Sequence, residues 1–444
     1  MIDILRGVIG MGVIVGMAYL VSNNRRAINW RLVGTGLGIQ FVLAVFILKG
    51  RDMAEYWSPL GWPKEFFSWL SSFFVVVLDF TTEGATFIFG DLAKSPGTEG
   101  SMGNFFAFQV LPTIVFFASL TAVLYHYGVL QWVVRYMAKG MQKLMGTSGA
   151  ESLSVVSNIF VGQTEAPLLV KPFISRMTQS ELLAVMTGGM ATIAGGVMAA
   201  YVQMLGNSYA QAQGVSLDAG RLLFAEQLLG ASLMAAPAAL VIAKIFYPET
   251  EDPETSGDVE VDVETSDANG IDAAASGAAT GLKLAANVGA MLLAFIALLA
   301  MGNFFLEKFG SMTGINALIA DGSLRIETLL GWLIAPIAYV IGVPWVDAIS
   351  MGSLLGTKVV LNEFVAYLQM ADLVEASALT GKTITMATFA LCGFANFSSI
   401  AIQIGGIGGL APNRKSDLAK FGIKAVAAGT MANLMTATIA GMLY

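Results

Sequence analysis

The sequence predicts an all-α polytopic membrane protein with about eight transmembrane helices, two re-entrant hairpins in inverted repeats, and interfacial helices. Of the 444 residues, 56% are hydrophobic and 12% are charged, whereas charged residues make up about 25% of a soluble protein. The mean hydropathy is +0.70. Such a composition is typical of a chain surrounded by lipid, and we expect a multi-pass protein of the cell inner (plasma) membrane.

Eight apolar runs are long enough to cross a hydrocarbon core about 30 Å thick. The first run is interpreted as a retained span, because no small-residue cleavage site follows Arg25 and Arg26. Arginine and lysine clusters follow the first and third runs and precede the fourth and last. Their placement in the cytoplasm puts both chain termini outside. The predicted spans are 4–21, 32–48, 104–131, 179–205, 222–246, 282–306, 383–410 and 421–443.

The net charge of −7 arises from one acidic segment between the two halves of the chain. Ten acidic residues and no basic ones lie between Glu249 and Asp272, interleaved with Ser, Thr, Gly and Pro. This composition predicts a solvated linker, on the cytoplasmic side, with no part in the chemistry. The single cysteine, Cys392, leaves no internal disulfide, and one histidine makes a structural zinc site improbable.

Two short polar stretches interrupt apolar sequence, Asn158 to Pro167 and Asn362 to Tyr367, and each contains a glutamate. An ionisable side chain at the bilayer centre costs about 2.5–3.5 kcal/mol, so it is retained mainly where it contacts something other than lipid. Non-helical backbone at this depth survives only where protein or a water-filled cavity satisfies its polar groups. We therefore interpret 150–176 and 347–371 as re-entrant hairpins that enter from opposite faces.

Two further apolar pieces, 57–90 and 324–345, contain charged residues and are predicted to lie at the membrane interface. The second of them could also form a short span. In each half of the chain a hairpin is followed by a span that small or polar residues interrupt, at 191–196 and at 393–399. Inverted repeats with broken helices are typical of secondary transporters, which bind substrate and coupling ion where the repeats meet.

Three motifs resemble the concentrative nucleoside transporter family in sequence, order and spacing: Gly162-Gln-Thr-Glu-Ala-Pro167, Asn362-Glu-Phe-Val-Ala-Tyr367 and Cys392-Gly-Phe-Ala-Asn-Phe-Ser-Ser-Ile400. The resemblance covers essentially the whole chain. It implies a homotrimer in membrane lipid, in which a scaffold domain holds the trimer and a transport domain carries nucleoside across like an elevator.

Together with the repeats, the resemblance divides the chain into five parts. The first is mostly scaffold, the second and fifth form the transport domain, the third is the acidic linker, and the fourth is a scaffold span with an interfacial segment. Their boundaries are 1–149, 150–247, 248–281, 282–345 and 346–444.

The resemblance also implies which side chains contact the nucleoside. An amide and a hydroxyl match the donors and acceptors of a base edge, and a carboxylate accepts hydrogen bonds well from ribose hydroxyls. Ordinary packing remains an equal alternative for the two apolar residues. The implied contacts are Gln163, Thr164 and Glu165 for the base, Glu363, Asn396 and Ser399 for the ribose, and Val197 and Phe394 as apolar walls.

A sodium site near the first hairpin is implied in the same way. Its ligands would be the side chains of Asn158 and Thr192 and the backbone carbonyls of Val161, Thr192 and Ile193. Sodium is a hard cation that prefers oxygen ligands, and unwound backbone frees carbonyl groups to supply them. We expect sodium as the coupling ion, no other cofactor, and no nucleic-acid partner.

Three alternatives remain open from the sequence. A proton could replace sodium as the coupling ion. A membrane-embedded enzyme could use Glu165 and Glu363 as an acid and base, although no nucleophile, metal cluster or phosphate-binding loop accompanies them. An ion channel is the third, but channels favour symmetric pore rings over paired inverted hairpins.

Overall fold

The computed structural model describes residues 2–95, 98–103, 105–255, 267–319 and 322–444, with the side chain of Ile2 left out. Within these residues the fold is entirely helical, without a strand. Eight helical segments are long and apolar enough to cross a membrane. The prediction of an all-α polytopic membrane protein is therefore confirmed. The eight are Asp3–Val21, Trp30–Tyr56, Ser58–Ala93, Phe106–His126, Gln179–Gln213, Leu217–Phe246, Gly270–Thr313 and Pro412–Met442.

The described helices fall into two groups, one on either side of the acidic segment. The first group contains α1 (Ile2–Val21), α2 (Trp30–Tyr56), α3 (Trp62–Phe89), α4 (Phe106–Gln109), α5 (Leu111–His126), α6 (Val129–Met145), α7 (Gly149–Ser157), α8 (Lys171–Ile174), α9 (Gln179–Ala191), α10 (Gly195–Gln213) and α11 (Leu217–Phe246). The second contains α12 (Gly270–Thr313), α13 (Ile326–Val340), α14 (Ala348–Val360), α15 (Glu363–Glu375), α16 (Gly381–Leu391), α17 (Phe397–Leu410) and α18 (Lys415–Met442).

The same order of elements occurs in both groups. Two consecutive helices, a hairpin, a broken helix and a final long helix follow one another from α5 to α11 and again from α12 to α18. The counterpart of 324–345 is therefore α6, and the break between α5 and α6 falls within the predicted span 104–131. The reason for the break is Gly128, whose φ of 74° ends α5 in the left-handed region.

One predicted span is divided in the structure, and one predicted interfacial piece forms a long helix. The span 383–410 is divided into α16 and α17, each shorter than a membrane crossing, as expected for an interrupted span. The piece 57–90 forms α3, which together with its flanking turns is long and apolar enough to cross a membrane. Its placement at the interface remains a prediction.

Burial separates the inner helices from the outer ones. The most apolar stretch of α11 is 89% buried, whereas that of α12 is 11% buried, so α12 presents most of its surface to lipid or to another protein chain. On its buried side α12 approaches α5 closely through Gly277 and Gly281. A Cβ atom at either glycine would lie within 3 Å of α5 atoms, and small residues permit such close packing of membrane helices.

The acidic segment is more firmly attached than predicted. Thr178 donates a hydrogen bond to Glu249 over 2.8 Å, and Lys244 forms an ion pair with the same carboxylate at 3.3 Å. Thr255 accepts hydrogen bonds from the backbone N–H groups of Gly149 and Ala150, which begin α7, at 2.7 and 3.2 Å. The predicted linker 248–281 is therefore bound as far as residue 255.

At its other end the predicted linker is helical, because α12 begins at Gly270, capped by the side chain of Asn269. The part of the linker prediction that concerns 256–266 lies outside the described residues. Because Thr255 is attached to the start of α7, a substitution there should affect the stability of the protein.

We expect Thr255→Val to destabilise the protein, because it leaves the Ala150 N–H and a Glu181 oxygen without the Thr255 hydroxyl. A buried donor without a partner costs about 1–3 kcal/mol of unfolding free energy, so the temperature of unfolding in detergent should fall by several degrees. Asp252→Asn, at an exposed position three residues earlier, is the control and should leave it unchanged. Equal stability of both variants would show that the hydrogen bonds of the Thr255 hydroxyl contribute nothing to stability.

Candidate functional site

The first hairpin opens at a helix end that the sequence specifies locally. A capping box of Ser148 and Glu151 begins α7. The helix ends after Ser157, where the side chain of Asn158 donates a 2.9 Å hydrogen bond to the carbonyl oxygen of Ser154. Pro167, which lacks an N–H group, is the second residue of the short 3₁₀ helix Ala166–Val170 that follows. The irregular backbone between these points places residues 158–165 at the hairpin tip.

The second hairpin turns between α14 and α15. Asn362 is the N-cap of α15 and accepts a 2.9 Å hydrogen bond from the backbone N–H of Val365. This cap makes Glu363 the first residue of the helix, at the hairpin tip. A carboxylate is stabilised there by the positive end of the helix dipole.

The two broken helices meet each other and the first hairpin. Between α9 and α10 the backbone is extended at Thr192, and between α16 and α17 it is irregular up to Asn396, the N-cap of α17. The Phe394 N–H donates to the carbonyl of Thr192 at 3.3 Å, and the Gly195 N–H donates to the carbonyl of Phe160 at 3.2 Å. The hairpin tips and the helix breaks therefore form one junction.

A cavity of about 1640 Å³ lies between this junction and helices α5 and α12. It extends to Lys171 and to Asp267, near the far end of the acidic segment. Every residue for which the sequence implied a nucleoside contact lines it. These residues are Gln163, Thr164, Glu165, Val197, Glu363, Phe394, Asn396 and Ser399.

Glu363 is almost fully buried, with 5% of the residue exposed, and its carboxylate is held in a fixed orientation. The hydroxyl of Tyr201 donates to Oε1 at 2.9 Å, and the Asn396 side chain donates to Oε2 at 3.1 Å. A carboxylate has about four acceptor positions, so two remain for a ligand. Sequence reasoning missed Tyr201 because it lies inside a long apolar run, 162 residues from Glu363.

Gln163 and Ser399 are joined directly. The Gln163 amide donates to the Ser399 hydroxyl at 3.1 Å, and its carbonyl oxygen accepts from Gln403 at 3.1 Å. Gln403 also donates to the carbonyl of Met186, on α9. The resemblance assigned Gln163 to the base and Ser399 to the ribose, and here the two side chains connect the two halves of the chain. Gln403 was not foreseen.

The other two polar residues of the first tip differ in exposure. Thr164 is half-buried and lies against Gly406, where a Cβ atom would be 3.1 Å from its methyl group. Glu165 is exposed to the cavity, and its carboxylate folds back over Gly162, where a side chain would collide with it. The first hairpin thus offers the cavity an amide, a hydroxyl and a carboxylate.

Two charged residues outside the tips have clear partners. Lys358 donates to the carbonyl of Ala390 at 2.9 Å and to the side-chain oxygen of Asn433 at 2.7 Å, not to Glu363. Glu226 accepts from Lys64 at 2.7 Å and from Ser68 at 2.6 Å, so its carboxylate is bonded within the protein.

The residues implied for sodium lie behind the cavity. Val161 lines it, whereas Asn158, Thr192 and Ile193 are almost fully buried at the junction. The Asn158 side-chain oxygen is buried without a hydrogen-bond donor, and the Thr192 hydroxyl donates to the carbonyl of Gly188 at 2.8 Å. A buried oxygen that lacks a donor is costly and suits a cation, so this residue set fits sodium.

Comparison with known proteins decides the family. Three family models match the chain in succession: "Na+ dependent nucleoside transporter N-terminus" over 9–92, "Nucleoside recognition" over 107–208, and "Na+ dependent nucleoside transporter C-terminus" over 227–441. The chain belongs to the concentrative nucleoside transporter family. Its members are transporters and not enzymes, so the paired carboxylates need no catalytic role.

Relatives of this transporter match over nearly their whole length in bacteria. The chain is 44% identical over 441 residues to the uncharacterized transporter YutK of Bacillus subtilis, with 99% of each chain covered. It is 40% identical to nucleoside permease NupC of Helicobacter pylori, with 99% of this chain and 97% of the relative covered. Sodium/nucleoside cotransporter 1 of Mus musculus is 38% identical, with 98% and 63% covered.

Solved structures agree with the sequence relatives. CNTnw in an inward-facing substrate-bound state matches with a TM-score of 0.84 and 44% identity, covering 99% of this chain and 98% of that one. A double variant of CNTnw in an outward-facing state matches with a TM-score of 0.85 and 44% identity, covering 100% and 98%. The helical architecture of this transporter is therefore that of the family.

We expect Tyr201→Phe to weaken nucleoside binding about fivefold, because a hydrogen bond worth about 1 kcal/mol no longer orients the Glu363 carboxylate. Tyr209→Phe is the matched control. Tyr209 lies on the same helix, packs against Phe224 and does not line the cavity. Equilibrium binding of radiolabelled uridine to purified protein measures both. Equal affinities in the two variants would remove Tyr201 from the site.

Proposed function

We propose that this transporter imports nucleosides by sodium symport with an elevator-type alternating-access mechanism. The observation that carries the proposal is the meeting of both hairpin tips and both helix breaks at one cavity, where an oriented carboxylate faces an amide and a hydroxyl. Inverted repeats with substrate at their meeting point are the arrangement of secondary transporters. The relatives named as nucleoside permease and sodium/nucleoside cotransporter support the same substrate and ion.

In the proposed binding mode the ribose hydroxyls donate to Glu363. The Tyr201 and Asn396 bonds keep the carboxylate in place, so little further ordering is needed when the ligand binds. A hydrogen bond to a charged acceptor contributes about 1.5–3 kcal/mol. Ser399 and Asn396 complete the ribose side.

The base is proposed to lie against the first hairpin. Gln163 and Thr164 supply the donors and acceptors that an amide and a hydroxyl can offer a base edge, and Glu165 accepts from a base N–H. Val197 and Phe394, which also line the cavity, cover its apolar faces. Because Gln163 is bonded to Ser399 in this structure, a bound nucleoside would compete with that bond or span the pair.

The sodium ion is proposed to bind Asn158 and Thr192 together with the carbonyls of Val161, Thr192 and Ile193. The donor-free oxygen of Asn158 supports this set. When bound, the ion supplies positive charge at the first helix break. One cation moving down 100 mV contributes about 2.3 kcal/mol, which corresponds to roughly fortyfold accumulation of a neutral nucleoside. Transport is therefore proposed to be electrogenic.

The moving part in this proposal contains the hairpins and broken helices, 150–247 and 346–444, and the scaffold of a homotrimer contains most of the remaining spans. The low burial of α12 within one chain supports a contact between this helix and another chain of the proposed trimer. The cavity reaches Lys171 and Asp267, on the side that the basic clusters place in the cytoplasm, so we assign this structure to the inward-facing state.

The decisive experiment is uptake into proteoliposomes. A panel of radiolabelled nucleosides and free bases is offered with a sodium, potassium or proton gradient imposed separately. Accumulation of unchanged nucleoside that follows the sodium gradient is the expected result. Equal accumulation with a proton gradient and no sodium would establish the proton-coupled alternative instead.

For the ribose contact, we expect Glu363→Gln to lower uridine affinity by about ten- to a hundredfold, since it loses a charge-assisted acceptor. The variant should also lose most of the preference for uridine over its 2′,3′-dideoxy analogue. Competition binding measures both quantities. Glu226→Gln is the control, because Glu226 is a partly buried carboxylate bonded to Lys64 and Ser68, outside the cavity. An unchanged preference in Glu363→Gln would contradict the ribose assignment.

For the ion site, Asn158→Ala and Thr192→Ala should weaken the apparent sodium affinity of uptake, because each removes an oxygen ligand. By thermodynamic linkage they should weaken nucleoside binding when sodium is limiting, and saturating sodium should restore part of it. Thr187→Val is the control, since its buried hydroxyl donates only within its own helix, to Leu183. Normal sodium dependence in both alanine variants would make these residues structural.

A further inference from the structure

One side chain contacts both helix breaks. Asn433 lies on α18, is 1% exposed, and belongs to none of the motifs that identify the site. Its amide nitrogen donates to the carbonyl oxygen of Ala191, the last residue of α9, at 2.7 Å. The same nitrogen donates to the carbonyl oxygen of Cys392, which follows α16, at 2.7 Å. The two breaks, about two hundred residues apart in sequence, are thus joined by one amide group.

The second hairpin is attached to the same amide. The Lys358 ammonium, which is fully buried on α14, donates to the Asn433 oxygen at 2.7 Å and to the carbonyl of Ala390 at 2.9 Å. Lys358 and Asn433 together therefore satisfy carbonyl oxygens at the ends of both α9 and α16. A helix end leaves such carbonyls without intrahelical donors, and Ala191, Ala390 and Cys392 are at most 1% exposed, so water does not replace those donors.

The contact between the breaks is also close sterically. At Gly393 a Cβ atom would lie 2.5 Å from the Asn433 oxygen and 2.8 Å from the carbonyl oxygens of Met190 and Ala191. Side chains cannot approach to such distances, so the second break lies directly on the first. If one break moves, the other must therefore move with it, or the contact between them is lost.

The junction connects the proposed sodium ligands to the proposed ribose acceptor in few steps. The Thr192 carbonyl, one of those ligands, accepts the Phe394 N–H. Two residues later Asn396 donates to Glu363. On the sodium side, Ala191 immediately precedes Thr192 and is held by Asn433.

We propose that Asn433, supported by Lys358, is a positioning residue that couples sodium binding to nucleoside binding by fixing the two helix breaks to each other. Sodium that orders the first break would then order the second and Glu363 with it. Coupling of this kind is reciprocal, so nucleoside must raise sodium affinity by the same factor. The inference rests on the proposed sodium symport and assigns the residue through which that symport is coupled.

The test measures the coupling factor in purified protein. The dissociation constant of radiolabelled uridine is determined in saturating sodium and in choline, and the half-saturating sodium concentration with and without uridine. Asn433→Asp is the main variant, because it keeps the size and the oxygen facing Lys358 but removes the donors to Ala191 and Cys392. Thr436→Val is the matched control, since Thr436 is equally buried on α18 and donates only to Ala432 of its own helix.

We expect sodium to tighten uridine binding by about 5- to 150-fold in the unmodified protein and in Thr436→Val, the usual range of such coupling. In Asn433→Asp the factor should fall to about twofold or less, from both directions of the measurement. If Asn433 had a merely structural role, the variant would bind both sodium and uridine more weakly, but the coupling factor would be unchanged. That result would overturn the inference.

Two further outcomes are also decisive. If the unmodified protein binds uridine but shows no sodium effect, the proposed symport fails and the coupling role with it. If Asn433→Asp does not yield folded protein, Asn433→Ser, which retains one donor, is measured instead. An intermediate factor there would support the inference, and an unchanged factor would overturn it.

Discussion

The polar backbone atoms of broken helices must find partners inside the protein, because lipid offers none. In this transporter α9 and α16 both end in the interior, and their terminal carbonyls are met by Asn433 and Lys358. The Phe394 N–H meets the Thr192 carbonyl directly. The close packing of Gly393 against Asn433 and the end of α9 accompanies these contacts.

The same requirement supplies the chemistry of the site. Asn396 caps α17 by accepting from the Ser399 N–H at 2.9 Å, and it donates to Glu363 with its other side-chain atom. Asn158 likewise donates back into its own helix and leaves its oxygen free. Asn396 lines the cavity and Asn158 lies buried behind it. Under the proposed function, a substitution at either of these helix termini therefore affects structure and binding together.

The base of the first hairpin is held by buried ion pairs, whereas its tip is held mostly by hydrogen bonds between neutral groups. At its base Lys244 forms buried ion pairs with Glu151 at 2.7 Å and with Glu249 at 3.3 Å, and donates to Ser180. Breaking a buried pair by removing one partner is strongly destabilising, by about 3–5 kcal/mol, so the base is a fixed anchor. At the tip most contacts are single hydrogen bonds between neutral groups, each worth about 1 kcal/mol, which ligands can replace at small cost.

The sequence by itself determined the class of the protein and the two polar stretches that form the hairpin tips, because lipid penalises polar groups and so makes Glu165 and Glu363 conspicuous in an apolar chain. The other residues lining the cavity were implied by the resemblance to the family. Tertiary structure alone decided the roles of Tyr201, Gln403 and Asn433 and the attachment of Thr255. These side chains look unremarkable in their own segments. Each of them has a partner 105 to 242 residues away, which only the folded structure brings into contact.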